Sequence, residues 1–332
     1  MTPQVRLLQL FDWDSPRQNA ELRKELAAGL IQPQARIAPK FFYDRLGSRL
    51  FEAITELPEY YPTRTEAAIF QEHMPAILEA LGTDFTLIDL GCGSCEKAGR
   101  LFHAGALPAR YLAVDISVEF LRESLQHLQR ELPAIDMTGI GLDFTDELRL
   151  PDDLPLQRRV FFYPGSSIGN FSPVEARRFL RQLAGQMDAS GGLLIGVDLV
   201  KDKALLDAAY DDALGVTSAF NRNLLRHVNA RLDADFDIGD WRHVAFFDVT
   251  ESRIEMHLEA RRELDAGWPE GAGRRVRHFA AGERIHTENS CKYSPDGFKA
   301  LLSSAGFADI RMWTDPRDWF ALFFASQAVT RT

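Results

Sequence analysis

A doubly wound α/β fold, a parallel sheet with helices on both faces, is what the chain's pattern predicts. Three observations carry that expectation. From Phe85 onward, short apolar runs alternate with helical periodicity. The runs are almost continuously apolar, as strands buried on both faces must be. The first of them empties into a glycine turn, Leu87-Ile-Asp-Leu-Gly-Cys-Gly-Ser-Cys-Glu-Lys97. The turn then leads into the first turn of a helix, where backbone amides make the end electropositive.

In order, the strands are expected at Thr86–Leu90, Tyr111–Asp115, Met137–Leu142, Arg159–Tyr163 and Gly192–Leu199. Helices are expected around Cys95–His103, Val118–Arg130 and Pro173–Met187. Before them, residues up to about Pro39 read as an opening segment with one helix, its Leu22, Leu26 and Leu30 forming a single stripe. In Leu57-Pro-Glu-Tyr-Tyr-Pro-Thr-Arg-Thr-Glu66, prolines on either side hold the tyrosine pair stiffly. Thr65 is the expected cap of a helix running from Ala67 to Leu81.

After Lys201 the rhythm breaks. A single helix, Leu205–Arg231, is predicted, then a hairpin of Trp241–Val249 and Ser252–Glu263 through Thr250-Glu251. Gly267 to Arg277 reads as a glycine- and arginine-rich turn. The region keeps its apolar periodicity, which marks an insertion or lid rather than a linker. A helix, Pro295–Ala305, and a strand pair, Asp309–Thr314 and Trp319–Gln327, close the chain.

Composition narrows the function. At 332 residues, 45% hydrophobic and 26% charged, this is an ordinary soluble globular composition. A net charge of -10 argues against a general binder of nucleic acid or anionic membrane. No apolar run reaches the ~18–20 residues that span a bilayer. The opening Met1-Thr-Pro-Gln-Val-Arg6 lacks the apolar core of a signal peptide. Cys92, Cys95 and Cys291 form no disulfide framework, so a reducing cytoplasm is expected. Cys92 and Cys95 do make a C-x-x-C, but no second pair accompanies it and both lie inside the glycine turn, so redox or zinc chemistry is not expected there.

The cofactor follows from the turn. A dinucleotide site commonly uses G-x-G-x-x-G, whereas here Glu96 stands where the third glycine belongs, a poor neighbour for a pyrophosphate. That disfavours a nicotinamide-dependent dehydrogenase. The shorter Asp89-Leu-Gly-Cys-Gly93 suits adenosine with a small charged amino-acid tail, and S-adenosylmethionine fits. Taken alone, Gly91 and Gly93 serve a tight turn equally well. Asp115 and Asp143-Phe144 at strand ends favour the cofactor: Asp115 for the ribose hydroxyls, Asp143 for the adenine amino group, Phe144 against the ring. No metal is expected.

On the acceptor side the residues alone leave more open. Asn170 ends Pro164-Gly-Ser-Ser-Ile-Gly-Asn, where it can contact a carboxylate or amine, or simply form a turn. Tyr210 lies on a helix and is either core or ligand. Glu288 and Ser290 alternate, so on an extended segment they share a face and could hold a ring with two nitrogens, or line an exposed edge.

The chain resembles the L-histidine Nα-methyltransferases of ergothioneine biosynthesis. The resemblance rests on Tyr43-Asp-Arg-Leu-Gly-Ser-Arg-Leu-Phe-Glu52 with Leu57–Glu66, on Asp89–Lys97, on Tyr163–Phe171, on Ala209–Asn223, and on Ile254-Glu-Met256 with Thr287-Glu-Asn-Ser-Cys-Lys292. It implies a Rossmann-like, class I S-adenosylmethionine-dependent methyltransferase sheet with a second, substrate-binding lobe. Residues 66–200 with 291–332 would form the cofactor domain, and 1–65 with 201–290 the substrate lobe. It implies three methylations of the histidine α-amine, giving hercynine. Matched to the family, Asn170 and Tyr210 hold the substrate carboxylate, and Gly165 makes a backbone contact near the amine. Tyr60, Glu288 and Ser290 surround the imidazole, Met256 walls the pocket, and Tyr43 lies at the reacting amine as the catalytic position. Gly91, Lys97, Asp115, Asp143 and Phe144 match the cofactor contacts. The expected partner is free L-histidine, met by a monomer, with no nucleic acid or membrane. The rival readings are a same-fold enzyme acting on another amino acid such as tryptophan, and a cofactor-binding regulator without catalysis.

Overall fold

The computed structural model describes residues 5–13, 15–145, 148, 150 and 154–328, so the first four residues of the opening stretch lie outside it. Among the described residues, thirteen strands follow in chain order. They are β1 (Arg6–Gln9), β2 (Thr86–Leu90), β3 (Arg110–Asp115), β4 (Met137–Gly141), β5 (Arg159–Tyr163) and β6 (Gly192–Asp198). Then come β7 (Trp241–Asp248), β8 (Arg253–Ala260), β9 (Leu264–Glu270), β10 (Gly273–Phe279), β11 (Arg284–Cys291), β12 (Asp309–Thr314) and β13 (Phe320–Ser326). The chain divides into two compact units, one of residues 1–11, 62–200 and 291–332, the other of residues 12–61 and 201–290.

The first unit is built on an eight-stranded sheet of order β1-β4-β3-β2-β5-β6-β13-β12. Strands β1 through β6 run parallel, whereas β13 pairs antiparallel with both β6 and β12. Successive side chains of a strand face opposite ways, so each strand feeds two cores. Ile88 and Leu90 of β2 join Leu112, Val114, Phe161 and Ile195 on one face. Leu87 joins Tyr111, Ala113, Val160, Phe162 and Leu194 on the other. Helices cover both faces, which is why these strands read as unbroken apolar runs. The order reverses between β2 and β5, and in such sheets the crevice at that reversal is where ligands bind.

The second unit carries the helices Pro16–Leu30, Arg45–Thr55, Lys203–Tyr210 and Val216–Leu232, a three-stranded sheet β11-β8-β7, and the hairpin β9–β10. β7 and β8 pair antiparallel from Trp241 opposite Ala260 to Asp248 opposite Arg253.

Four expectations are corrected. The opening segment does not belong wholly to the second unit: β1 pairs with β4 in the main sheet, Arg6 opposite Thr138. The long helix begins at Tyr61, not after Thr65, because Pro62 is preorganised for a first helical turn; Thr65 lies buried within it. The segment Leu205–Arg231 is two helices. Asp212 breaks it by accepting from the backbone of Val216 (3.0 Å) and Thr217 (2.7 Å), capping the second helix, while Gly215 takes φ +76°. Gly267–Arg277 is mostly hairpin: Trp268 and Phe279 are buried while Arg274 and Arg275 are exposed, an arginine-rich strand rather than a turn.

Candidate functional site

In the first unit, β2 ends in Leu90 and the chain turns through Gly91 (φ +68°), Gly93 (φ +52°) and Cys95 (φ +59°) into the helix Glu96–His103. Positive φ is nearly free for glycine and costly for other residues, so Gly91 and Gly93 suit this path while Cys95 adopts it at a cost. The amides of Gly91 and Cys92 donate to the Val114 carbonyl (2.8 and 3.2 Å), tying the turn to the end of β3. Asp115, the last residue of β3, accepts from Gly93 N–H (3.0 Å) and Ser117 N–H (2.8 Å). Burial pushes its carboxyl up, and these backbone donors pull the other way.

The turn has the shape of an adenosine cradle. A Cβ at Gly93 would meet nothing within 4 Å, and one at Gly91 would point at the Phe144 ring 3.7 Å away. Phe144 is held edge-on to Tyr163 (ring centroids 5.9 Å). Asp143 accepts from the Thr145 amide (3.1 Å) and hydroxyl (2.5 Å), which fixes its carboxyl at the strand end. Below the turn, Asp89 is buried and takes the Tyr111 hydroxyl on Oδ2 (2.8 Å), while its Oδ1 is buried without a partner. Burial raises this carboxyl to about 7 against the pull of the Tyr111 hydrogen bond and Lys97. These features fit a cationic ligand with ribose hydroxyls.

A residue not singled out from the sequence joins them. Glu66, buried on the long helix, accepts from Lys97 Nζ (2.6 Å) and from Gly165 N–H (2.7 Å). One carboxylate therefore ties the turn after β2 to the turn after β5. Space is tight there: a Cβ on Gly165 would approach Lys97 Nζ to 2.9 Å, and one on Gly196 would approach Glu66 to 2.3 Å. The Gly165 N–H is thus committed, and a ligand contact at Gly165 falls to its carbonyl. Asn170, half-buried, ends the short 3-10 helix Ser167–Asn170.

In the second unit, Tyr210 and Ser290 meet: their hydroxyls are 2.8 Å apart and buried. Glu288 and Ser290 are both buried on β11, so the exposed-edge alternative is excluded. Asn289 between them is engaged with the His286 ring (2.8 Å). Met256 is buried on β8, its carbonyl accepting from the Thr287 hydroxyl (2.9 Å). Tyr60 lies edge-on to Tyr210 (6.2 Å) and to Phe51 (6.3 Å), and Phe51 is edge-on to Tyr43 (6.0 Å). An unbroken aromatic chain thus runs from Tyr43 through Tyr60 to the Tyr210–Ser290 pair.

The sheet order, the glycine turn and its acids define an α/β protein made to hold an adenosine-type cofactor. Residues 22–327 match the family model of histidine-specific, S-adenosylmethionine-dependent methyltransferases. A histidine N-alpha-methyltransferase of Mycolicibacterium smegmatis is 41% identical over 316 residues, covering 92% of this chain and 94% of that protein. Ergothioneine biosynthesis protein 1 of Neurospora crassa is 30% identical over 280 residues, covering 82% of this chain and 31% of the longer fungal protein. The N-methyltransferase imqF of Aspergillus flavus is 26% identical over 324 residues, covering 94% and 87%. The chain belongs to the histidine-specific, S-adenosylmethionine-dependent methyltransferase family.

Proposed function

We infer that the protein transfers methyl groups from S-adenosylmethionine to the α-amino nitrogen of L-histidine, three in succession, giving hercynine for ergothioneine biosynthesis. The observation that carries this reading is the match of residues 22–327 to a histidine-specific family. On the first unit, Gly91, Lys97, Asp115, Asp143 and Phe144 are the proposed cofactor contacts. Asn170 and the Gly165 carbonyl are the proposed substrate contacts there. On the second unit, Tyr210 is assigned to the carboxylate, Tyr60, Glu288 and Ser290 to the imidazole, Met256 to the pocket wall, and Tyr43 to the amine. We further propose that it works as a monomer in the cytoplasm, without a metal.

The methyl donor supplies a sulfonium whose leaving group is a neutral thioether. What the protein's residues must add is orientation, which can contribute several kcal/mol of the barrier. Lys97 is tied to Glu66, so its role is to hold the turn rigid around the ligand's charged tail. Glu288 can accept an imidazole N–H, and a pocket built around that bond rejects side chains that lack it by as much as ~10⁴-fold. Tyrosine faces suit an amine that becomes a fixed cation. The amine lone pair forms the new N–C bond as the C–S bond breaks, and its proton leaves to water before attack. The rate should therefore climb from mildly acidic to mildly alkaline pH at saturating cofactor; a flat profile sinks that step.

Mass spectrometry after incubation with histidine and S-adenosylmethionine tests the whole reading. The expected product is histidine with three added methyls on the α-nitrogen. The likeness to a fungal N-methyltransferase whose name gives no acceptor keeps a second reading alive, the same chemistry on another amino acid. In a competition assay histidine should outrun tryptophan, and the reverse result replaces the substrate.

A further inference from the structure

Tyr210 is the last residue of the helix Lys203–Tyr210, so its carbonyl is one that the helix itself leaves unpaired. The structure fills that gap with a side chain. His243 on β7 donates from Nε2 to the Tyr210 carbonyl (2.8 Å), and its other ring nitrogen, Nδ1, faces the Nδ2 of Asn221 (2.8 Å). The same Asn221 Nδ2 lies 2.9 Å from the His257 carbonyl. Asn221 is fully buried and the His243 side chain is only 2% exposed.

These contacts settle the proton positions in sequence. The His257 carbonyl can only accept, so Asn221 must turn its NH₂ group toward it; the flipped amide would set two oxygens against each other. That orientation also points the NH₂ group at His243 Nδ1, which must then accept. A ring that accepts at Nδ1 is neutral and carries its proton on Nε2, where it can donate to Tyr210. Burial holds the His243 pKa down, outweighing the upward pull of the Tyr210 carbonyl, Asp211 and Asp212. The Asn221 Oδ1 is left buried without a partner, the cost of this orientation.

We propose that Asn221 and His243 form a positioning relay that sets Tyr210, and through the Tyr210–Ser290 contact the acceptor pocket, for binding histidine. The proposal rests on the assignment of Tyr210 to the substrate. His243 touches no reacting atom in this scheme. Its neutral tautomer pins the backbone at Tyr210 so that the hydroxyl stays 2.8 Å from Ser290. A second histidine-bearing element, β8, contributes only its backbone carbonyl at His257.

The test uses the full-length protein with histidine, S-adenosylmethionine and the variants His243→Leu, His243→Gln and Tyr210→Phe. His243→Leu should raise the histidine KM about tenfold, the loss of one well-made hydrogen bond, while cofactor Kd by calorimetry stays within about twofold. His243→Gln, whose amide can still donate to the carbonyl and accept from Asn221, should recover most of the loss. In a Tyr210→Phe background the His243→Leu effect should largely vanish, because the group being positioned is gone. If Tyr210→Phe alone leaves the histidine KM unchanged, the assignment of Tyr210 fails and the relay with it. If Tyr210→Phe raises KM but His243→Leu and His243→Gln do not, only the relay fails. Should His243→Leu not fold, ¹⁵N NMR of the unaltered protein decides: a neutral Nε2–H ring at neutral pH is expected, and an Nδ1–H ring or an imidazolium overturns the proposal.

Discussion

The turn after β2 and the face of β11 are built by opposite means. At the turn the work is done by backbone. Two glycines and Cys95 with positive φ, amides tied to Val114, and a strand-end acid all lie between Asp89 and Asp115. On the second unit side chains are gathered from distant stretches: Tyr60, Tyr210, Met256, Glu288 and Ser290 come from a loop, one helix and two strands. A backbone site reads the part of a ligand common to every member of a chemical class. A side-chain site can be rebuilt one residue at a time, so it is where we propose the acceptor is chosen. That division explains how one sheet and one turn can serve acceptors of different structure.

Substitutions should therefore separate the two regions cleanly, and the largest effect belongs to the acceptor side. Glu288→Ala should cut kcat/KM for histidine by up to ~10⁴-fold while cofactor Kd changes little. Selectivity against an amino acid with an apolar ring should fall alongside. Equal losses in cofactor and histidine binding would remove Glu288 from the imidazole and erase the distinction between the regions.

The converse substitution is Gly91→Val. Gly91 sits at φ +68°, where a β-branched residue is strained by roughly 1–3 kcal/mol, and the new side chain would be directed at Phe144. Cofactor affinity by calorimetry should drop about 100-fold, the upper end of that strain, with the ranking of acceptor amino acids preserved. A changed acceptor ranking would show that the turn also reads the substrate.

The same contrast decides what could be read without coordinates. The turn was legible because its signals are local: Asp89, Gly91, Gly93 and Asp115 each do their work within a few residues of one another or at the matching strand end. The five parallel strands β2–β6 were legible because both of their faces are buried. β1 was not, since four residues at a sheet edge, with Arg6 and Gln9 exposed, carry no periodicity. Glu66 was missed as a site residue because its partners Lys97 and Gly165 are 31 and 99 positions away, a relation that only folding creates. The proposed acceptor residues are legible only through family resemblance, since the spacing of Glu288 and Ser290 suits an exposed edge equally well. The helix break at Asp211–Gly215 did leave a signal, an Asp ahead of a Gly, of the kind that starts a new helix.

A smaller effect concerns stability at the turn. Asp89 is raised from an ordinary 3.8 to about 7, chiefly by burial. A carboxyl raised in the folded state favours folding in its neutral form. That contribution is complete below the unfolded pKa and is lost as pH rises through the folded one. Unfolding free energy of the ligand-free protein should thus fall between about pH 4 and 7 relative to Asp89→Asn, which keeps an acceptor for Tyr111. The gap should reach on the order of 2 kcal/mol, less than the full shift would carry because buried sites relax. A pH-independent gap in urea titrations would mean that Asp89 stays ionised and that burial does not govern it.

The smallest effect is expected where the sequence most resembles a redox motif. Cys92 and Cys95 are free thiols inside the cofactor turn, and Cys95 N–H donates to the Cys92 carbonyl (2.9 Å) as the chain enters the helix. Burial, the neighbouring Cys95 thiol, Asp115 and Asp89 all push the Cys92 thiol well above its usual range. Reactivity belongs to the thiolate, so a thiol in this setting is a slow nucleophile and packs as a small side chain. Cys92→Ser should change cofactor Kd by no more than about threefold, a substitution of one small side chain for another of nearly the same shape. Alkylation of Cys92 at pH 8 should lag that of free cysteine, and activity should not depend on added reductant. Rapid inactivation by a thiol oxidant, reversed by dithiothreitol, would instead make the turn a redox element, and the backbone site would then be regulated by the two side chains it was thought to need least.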